Sequence, residues 1–130
     1  GRHQIDHPDL KKLSKQYLAK IVEHYGESKF QQTTPYLSIE SRKYSDAKDP
    51  HTKGEYCRIL NEIVVYWKNI ETVEELTKTV IHEYIHYLQS PTWMTRYYSM
   101  GYEYQTHPYE LQAYKEEQNW KLINRLCNTV

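Results

Sequence analysis

Within residues 72–91 the chain carries a helix start, a helix period and a helix stop in sequence. Thr72 is a good N-cap, and Glu75 stands three residues later in the form of a capping box. Apolar residues recur at Val73, Leu76, Val80, Ile81, Tyr84, Ile85 and Leu88, the spacing of an amphipathic helix. Ser90-Pro91 ends it, because the residue before a proline is pushed out of the helical region. At about 100° per residue those apolar side chains fill one broad arc. His82, Glu83 and His86 share the remaining arc with Thr79, so they project from one side of a helix whose other side is committed to a core.

Residues 82–86 read His-Glu-Tyr-Ile-His, or H-E-x-x-H. Side chains four apart on a helix stand one above the other. Two imidazoles so placed can grip one metal ion, and the glutamate beside the first can reach a water at that ion. With 7 histidines in 130 residues and the glutamate content of the chain, chance matches to this pattern number about 0.04. A capped helix in register lowers that figure again. The bland alternative is a surface helix with two exposed histidines and a solvated acid.

Two imidazoles hold zinc poorly, and a catalytic site normally takes three protein ligands plus water. The best third candidate lies in His107-Pro108-Tyr109-Glu110-Leu111-Gln112-Ala113. Pro108 suits the first position of a helix, and Leu111, Tyr114, Gln118, Leu122 and Leu126 supply a helical stripe behind it. Glu110 then points sideways from the first turn. Taken alone it is an acid that complements a positive helix N-terminus; paired with the upstream motif it becomes the favoured ligand. Glu103, Glu116, Glu117 and His107 are the substitutes.

H-E-Y-I-H followed by P-Y-E-L-Q-A on a second helix resembles the gluzincin branch of zinc metallopeptidases, in which the third ligand is a helical glutamate. The chain is most similar to the small single-domain members called minigluzincins. The resemblance covers residues 72–89 and 107–117. No H-x-x-G-x-x-H extension follows His86, where the sequence runs Y-L-Q-S-P-T, so the metzincin pattern is not met. Larger gluzincins usually carry an aspartate four residues beyond the ligand glutamate, orienting a metal-bound histidine. Tyr114 stands there instead, and some other acceptor should hold each ligand imidazole.

The resemblance implies one zincin-like domain over residues 1–130 that binds Zn2+ through His82, His86 and Glu110. It implies a zinc metalloendopeptidase acting on peptide or protein substrates, with Glu83 as general base and then general acid. The oxyanion needs a donor besides the metal. Tyr102, Tyr104, Tyr109, Tyr114 and His107 are candidates, and Tyr114 ranks first because it lies one turn after Glu110. Three alternatives stand beside this reading. One is a zinc-binding, latent or non-catalytic module acting in protein interaction. Another is a metal-dependent hydrolase of non-peptide bonds. The last is a helical scaffold with a fortuitous motif.

Along the chain, Leu10, Leu13, Tyr17, Leu18, Ile21 and Tyr25 mark an amphipathic helix over Asp9 to Tyr25, closed by Gly26. Tyr36 to Tyr44 suggests a strand, and Ser45 to Gly54 a turn-rich connection. Tyr56 to Leu60 and Ile63 to Trp67 are short β-rich runs with a tight turn or bulge at Asn61-Glu62. The expected architecture is α+β: an N-terminal helix, a small three-stranded, mostly antiparallel sheet, the H-E-x-x-H helix, and a C-terminal helix carrying Glu110. Ile63 to Trp67 is expected to be an edge strand bordering the cleft, where a peptide could add as a further strand.

Lys+Arg and Asp+Glu both number 17, which argues against nucleic acid as the main partner. No apolar run reaches the length of a membrane span, and a monomer is expected. Gly1-Arg2-His3-Gln4 does not open a signal peptide. Cys57 and Cys127 cannot define a disulfide framework, so the expectation is a reducing, cytoplasmic setting. Fourteen tyrosines against one phenylalanine imply a core and cleft studded with phenols, most of them structural. Trp93, Met94 and Tyr97 could line a subsite or cap the core.

Overall fold

The structure is a computed structural model that describes residues 7–29, 33–40, 53–89 and 108–128. Helix α1 (His7–Tyr25) leads to strand β1 (Tyr36–Glu40), then β2 (Gly54–Cys57) and β3 (Glu62–Tyr66). A 3₁₀ turn at Trp67–Asn69 precedes α2 (Val73–Leu88). Helix α3 (Pro108–Glu116) is joined by a second 3₁₀ turn (Glu117–Asn119) to α4 (Trp120–Asn128). The chain is α+β, as its pattern implied.

The sheet corrects two expectations. Its order is β1-β3-β2, with β3 parallel to β1 and antiparallel to β2, so it is mixed rather than mostly antiparallel. The Ile63 to Trp67 run is also not an edge: β3 is the central strand. Its composition explains why. Ile63 and Val65 are fully buried on one face, while Val64 and Tyr66 are nearly so on the other. A strand apolar on both faces belongs in the middle of a sheet. The edges are β1 and β2. The Arg58–Asn61 turn joins β2 to β3, and Asn61 takes φ 49° there, the left-handed region that asparagine tolerates. Its amide is held by the Tyr56 hydroxyl, which donates to Oδ1 at 2.7 Å, and by the Thr33 carbonyl, which accepts from Nδ2 at 3.0 Å.

Helix α1 buries Leu10, Tyr17 and Ile21 and stops where Gly26, at φ 82°, donates its N–H to the Val22 carbonyl. Helix α2 starts as expected, with the Thr72 hydroxyl accepting from the Glu75 N–H at 3.1 Å. The reciprocal half of the capping box is displaced by one residue: Glu75 Oε2 accepts from the Glu71 N–H. At the other end Arg58 Nη2 donates to the His86 and Gln89 carbonyls, both at 2.9 Å. The His86 carbonyl also accepts from the Gln89 N–H at 3.3 Å, so Arg58 reinforces the last turn, where carbonyls lack partners within the helix.

From Leu76 to Tyr87 every residue of α2 except Lys78 is buried, the polar arc included. The arc that carries His82, Glu83 and His86 is therefore no surface. The tyrosines do much of the fastening. Tyr84 and Tyr87 are fully buried; the first donates to the Gly26 carbonyl, and the second donates to Thr33 O at 3.0 Å and accepts from Ser28 N at 3.1 Å. Tyr17 donates to Asn124 Oδ1 at 2.9 Å, and Asn124 donates to the Thr77 hydroxyl, which ties α1, α4 and α2 together.

The stripe expected for the C-terminal helix is only half right. Leu111 and Tyr114 are 54% and 47% exposed, and Gln118 is exposed too, whereas Glu110 and Ala113 are buried. The inward face of α3 meets the polar arc of α2, so it carries polar groups and leaves apolar ones outside. The apolar stripe resumes only in α4, where Ile123 is fully buried and Trp120, Leu126 and Cys127 pack against the core. Among the described residues no helix is long and apolar enough to cross a membrane, and Cys57 and Cys127 are free thiols. Residues 93, 94 and 97 lie outside the described residues, as does most of the 45–54 connection.

Candidate metal centre

His82 and His86 are one helical turn apart on α2, and their Nε2 atoms are 3.3 Å from each other. Glu110, arriving from the first turn of α3, brings Oε2 to 3.1 Å from His82 Nε2 and Oε1 to 2.7 Å from His86 Nε2. All three side chains are buried, and together they form a group that could hold a metal ion. A tetrahedral ion with bonds of about 2.0–2.1 Å sets its ligand atoms roughly 3.3 Å apart. The 3.3 Å between the two Nε2 atoms matches that, while Glu110 meets each imidazole with a different oxygen, at 3.1 and 2.7 Å, as a hydrogen-bonded carboxylate that an ion would draw onto itself.

Each imidazole is held from behind. His82 Nδ1 donates to Glu117 Oε2 at 2.7 Å, and His86 Nδ1 donates to Gln89 Oε1 at 2.7 Å. With both Nδ1 atoms engaged as donors, the Nε2 atoms are the ones presented to Glu110 and to a metal. Glu117, a substitute ligand by sequence, takes a different place. It lies seven residues after Glu110, two helical turns along the same face, and so meets the far side of the His82 ring. It thereby fills the place left open by Tyr114 in the aspartate position. Tyr114 itself packs edge-on against His82, with ring centroids 5.0 Å apart.

The electrostatics follow from this packing. Burial alone would lower the His82 pKa, but hydrogen bonds to Glu110 and Glu117 and the nearby Glu83 charge carry it up to about 10. His86 is likewise raised: burial opposes its charge, and the Glu110 hydrogen bond with the Glu83 and Glu110 charges outweighs it. Burial pushes the Glu110 carboxyl up, yet hydrogen bonds from His82 and His86 bring it down to about 2. Glu83 moves the other way. Burial raises its pKa and outweighs the lowering effect of His82 and His86.

Strand β2 lies hard against this part of α2. A Cβ placed on Gly54 would stand 2.6 Å from Thr79 Cγ2 and 3.6 Å from Glu83 Cγ. Glycine is thus what lets the edge strand approach the helix at the level of Glu83.

Of the other sites expected, Glu116 turns away to accept from the Tyr25 hydroxyl at 2.9 Å and from Asn119. Glu103, His107, Tyr102 and Tyr104 lie outside the described residues, as does the Tyr109 side chain. Gln89, Gln112 and Arg58 were not anticipated. The spacing of Gln89 from His86, three residues and hence one turn, was the available signal for the first of them. No protein-family model, curated protein or solved structure matches the chain.

Proposed function

We propose that this chain is a zinc-dependent metallopeptidase of the gluzincin type, with a zincin-like fold. The observation that carries the reading is the convergence of His82 Nε2, His86 Nε2 and a Glu110 carboxylate, with ligand atoms within 4.8 Å of one another, beside a buried glutamate whose pKa is raised. A bound zinc would supply water with a pKa of about 7 and polarise the scissile carbonyl. Glu83 accepts the proton of the attacking water and returns it to the departing amine. A carboxylate held above its usual pKa is suited to both halves of that transfer. Glu117 and Gln89 hold the two imidazoles in orientation through Nδ1. Tyr114, edge-on to His82 and 47% exposed, is our choice for the donor to the developing oxyanion. With β3 central, the edge beside Glu83 is β2, and an extended peptide would pair with Gly54–Cys57.

A second reading is favoured by one specific feature. His82, Glu83, His86 and Glu110 are only 9%, 8%, 8% and 5% exposed, which suits a latent or non-catalytic zinc-binding module acting in protein interaction. Elemental analysis combined with hydrolysis of an unfolded protein substrate, with and without chelator, separates the two. We expect one zinc per chain and chelator-sensitive cleavage. Glu83→Gln should keep the zinc and lose at least about 10²-fold in turnover, and full turnover in that variant would sink the general-base role. Zinc without cleavage would establish the module, and a chain that takes up no zinc would end both readings.

A further inference from the structure

We propose that Gln89 and Gln112 form an amide clasp that positions His86 and the Glu110 helix relative to each other before a metal arrives. The clasp rests on the metal-binding reading above and adds two positioning residues to it. Gln89 is the C-cap of α2 and is 6% exposed. Its Oε1 accepts from His86 Nδ1 at 2.7 Å, while its Nε2 donates to Gln112 Oε1 at 2.9 Å. A primary amide has one accepting end and one donating end. Satisfying Gln112 therefore turns the Gln89 carbonyl toward His86, and satisfying His86 turns the amide nitrogen toward Gln112. Gln112 is two residues beyond Glu110, so the bond ties the end of α2 to the helix that delivers the carboxylate.

The base of the clasp is fixed as well. Arg58, from the turn between β2 and β3, donates to the main-chain carbonyls of His86 and Gln89, so the Gln89 side chain swings from an anchored backbone. The two imidazoles are consequently held by different chemistry. Glu117 gives His82 a carboxylate, which raises the basicity of a ligand nitrogen. Gln89 gives His86 a neutral amide, which fixes the ring's rotation and leaves its charge alone. The contribution of the clasp is geometric, and it should be felt in zinc affinity.

Gln112 is exposed, so its truncation cuts the bond without opening the core. The experiment measures zinc affinity of the full chain by competition with a chromogenic chelator for the wild type, Gln112→Ala, Gln112→Glu, Gln89→Ala and the double alanine variant. Melting temperatures are recorded alongside. Gln112→Ala should bind zinc about 10-fold more weakly at an unchanged melting temperature. Gln112→Glu keeps an acceptor for Gln89 Nε2 and should return affinity to within about threefold of wild type. Gln89→Ala should cost about 10–100-fold, and adding Gln112→Ala to it should cost nothing more, because both changes cut one chain of bonds. In the zinc-loaded protein the His86 Nδ1 proton should exchange with solvent faster in Gln89→Ala.

Wild-type affinity in Gln112→Ala, or additive losses in the double variant, would overturn the clasp while leaving the metal site standing. A wild-type chain that binds no zinc overturns both. Should Gln89→Ala fail to fold, the two Gln112 variants still decide the matter.

Discussion

Gly54→Ala is the sharpest test of how β2 meets α2. The backbone raises no objection, because the φ of Gly54 lies outside the left-handed region and an alanine can adopt it. Less freedom in the unfolded chain would even favour alanine by about 0.4–1 kcal/mol. Contact opposes it. The new Cβ would meet Thr79 Cγ2 at 2.6 Å and the Val64 carbonyl at 2.9 Å, and neither can yield freely. Rotating Thr79 away surrenders its hydroxyl bond to the Glu75 carbonyl, now 2.7 Å and worth about 0.5–1.5 kcal/mol. Moving the carbonyl strains the β2–β3 ladder, in which Gly54 opposes Val65 and Glu55 opposes Val64. Overpacking of this kind costs about 1–3 kcal/mol, so the net loss should be about 1–2 kcal/mol after the unfolded-state gain. The melting temperature should fall by roughly 3–10 °C. Thermal and denaturant unfolding measure this, and Thr79→Ser supplies the control. Removing Cγ2 relieves the shorter contact and keeps the hydroxyl, so Gly54→Ala/Thr79→Ser should recover part of the loss. A Gly54→Ala variant as stable as wild type, or no recovery with serine, would refute the packing argument.

Further outcomes follow from the same geometry. Tyr87→Phe should cost about 1–3 kcal/mol in denaturant unfolding, because it removes two bonds of a buried hydroxyl, one from the Ser28 N–H and one to the Thr33 carbonyl, which keeps its bond from Asn61 Nδ2; an unchanged midpoint would show that these bonds contribute nothing. Glu117→Ala should weaken zinc uptake by about 10–100-fold while sparing one-to-one stoichiometry, and unaltered affinity would remove Glu117 from its place behind His82. Zinc uptake at pH 7 should release about one proton or more. The metal-free His82, with a pKa of about 10, is protonated there and must lose its Nε2 proton to bind. Apparent affinity should accordingly climb as pH rises toward 10. Calorimetry in buffers of different ionisation enthalpy measures the release, and heats independent of buffer would contradict it.

Helices were legible in the sequence where local chemistry decides them. Thr72, Gly26 and Pro108 mark boundaries close to those observed, since caps and breakers act within a turn. The sheet was less legible because strand neighbours are set by long-range pairing. The run Ile63–Tyr66 shows that a strand is apolar on both faces, but not that β1 lies parallel on one side of it and β2 antiparallel on the other. The grouping of His82, His86 and Glu110 could be inferred because i,i+4 spacing on a helix is a geometric constraint and Glu110 sits in the first turn of the next helix. The acceptors behind the imidazoles were hidden because each depends on how α3 docks on α2. In sequence Glu117 is one more acid near the candidate ligands; the docking of the two helices puts it on His82 Nδ1 rather than Nε2. Leu111 misled for the complementary reason: an apolar residue marks an inward face only if that face meets apolar neighbours, and here it meets His82 and His86.

The way polar groups are satisfied on the inner arc of α2 singles out one residue. A buried polar atom without a partner is costly, so most of them have one. His82 and His86 each use both ring nitrogens, and both oxygens of Glu110 are engaged. Thr79 satisfies its hydroxyl within the helix. Among the described residues Glu83 alone in this group has no hydrogen bond stabilising its carboxylate. Burial is accordingly the largest influence on its pKa, and it acts upward. A buried carboxyl that accepts no hydrogen bond one residue from a candidate metal ligand makes physical sense if a water arrives there to react. The same reasoning predicts that Glu83→Leu, which removes the buried acid and keeps the bulk, should raise the melting temperature of the metal-free chain as it abolishes turnover. A less stable Glu83→Leu variant would mean that the carboxylate is anchored after all, and that its role is structural.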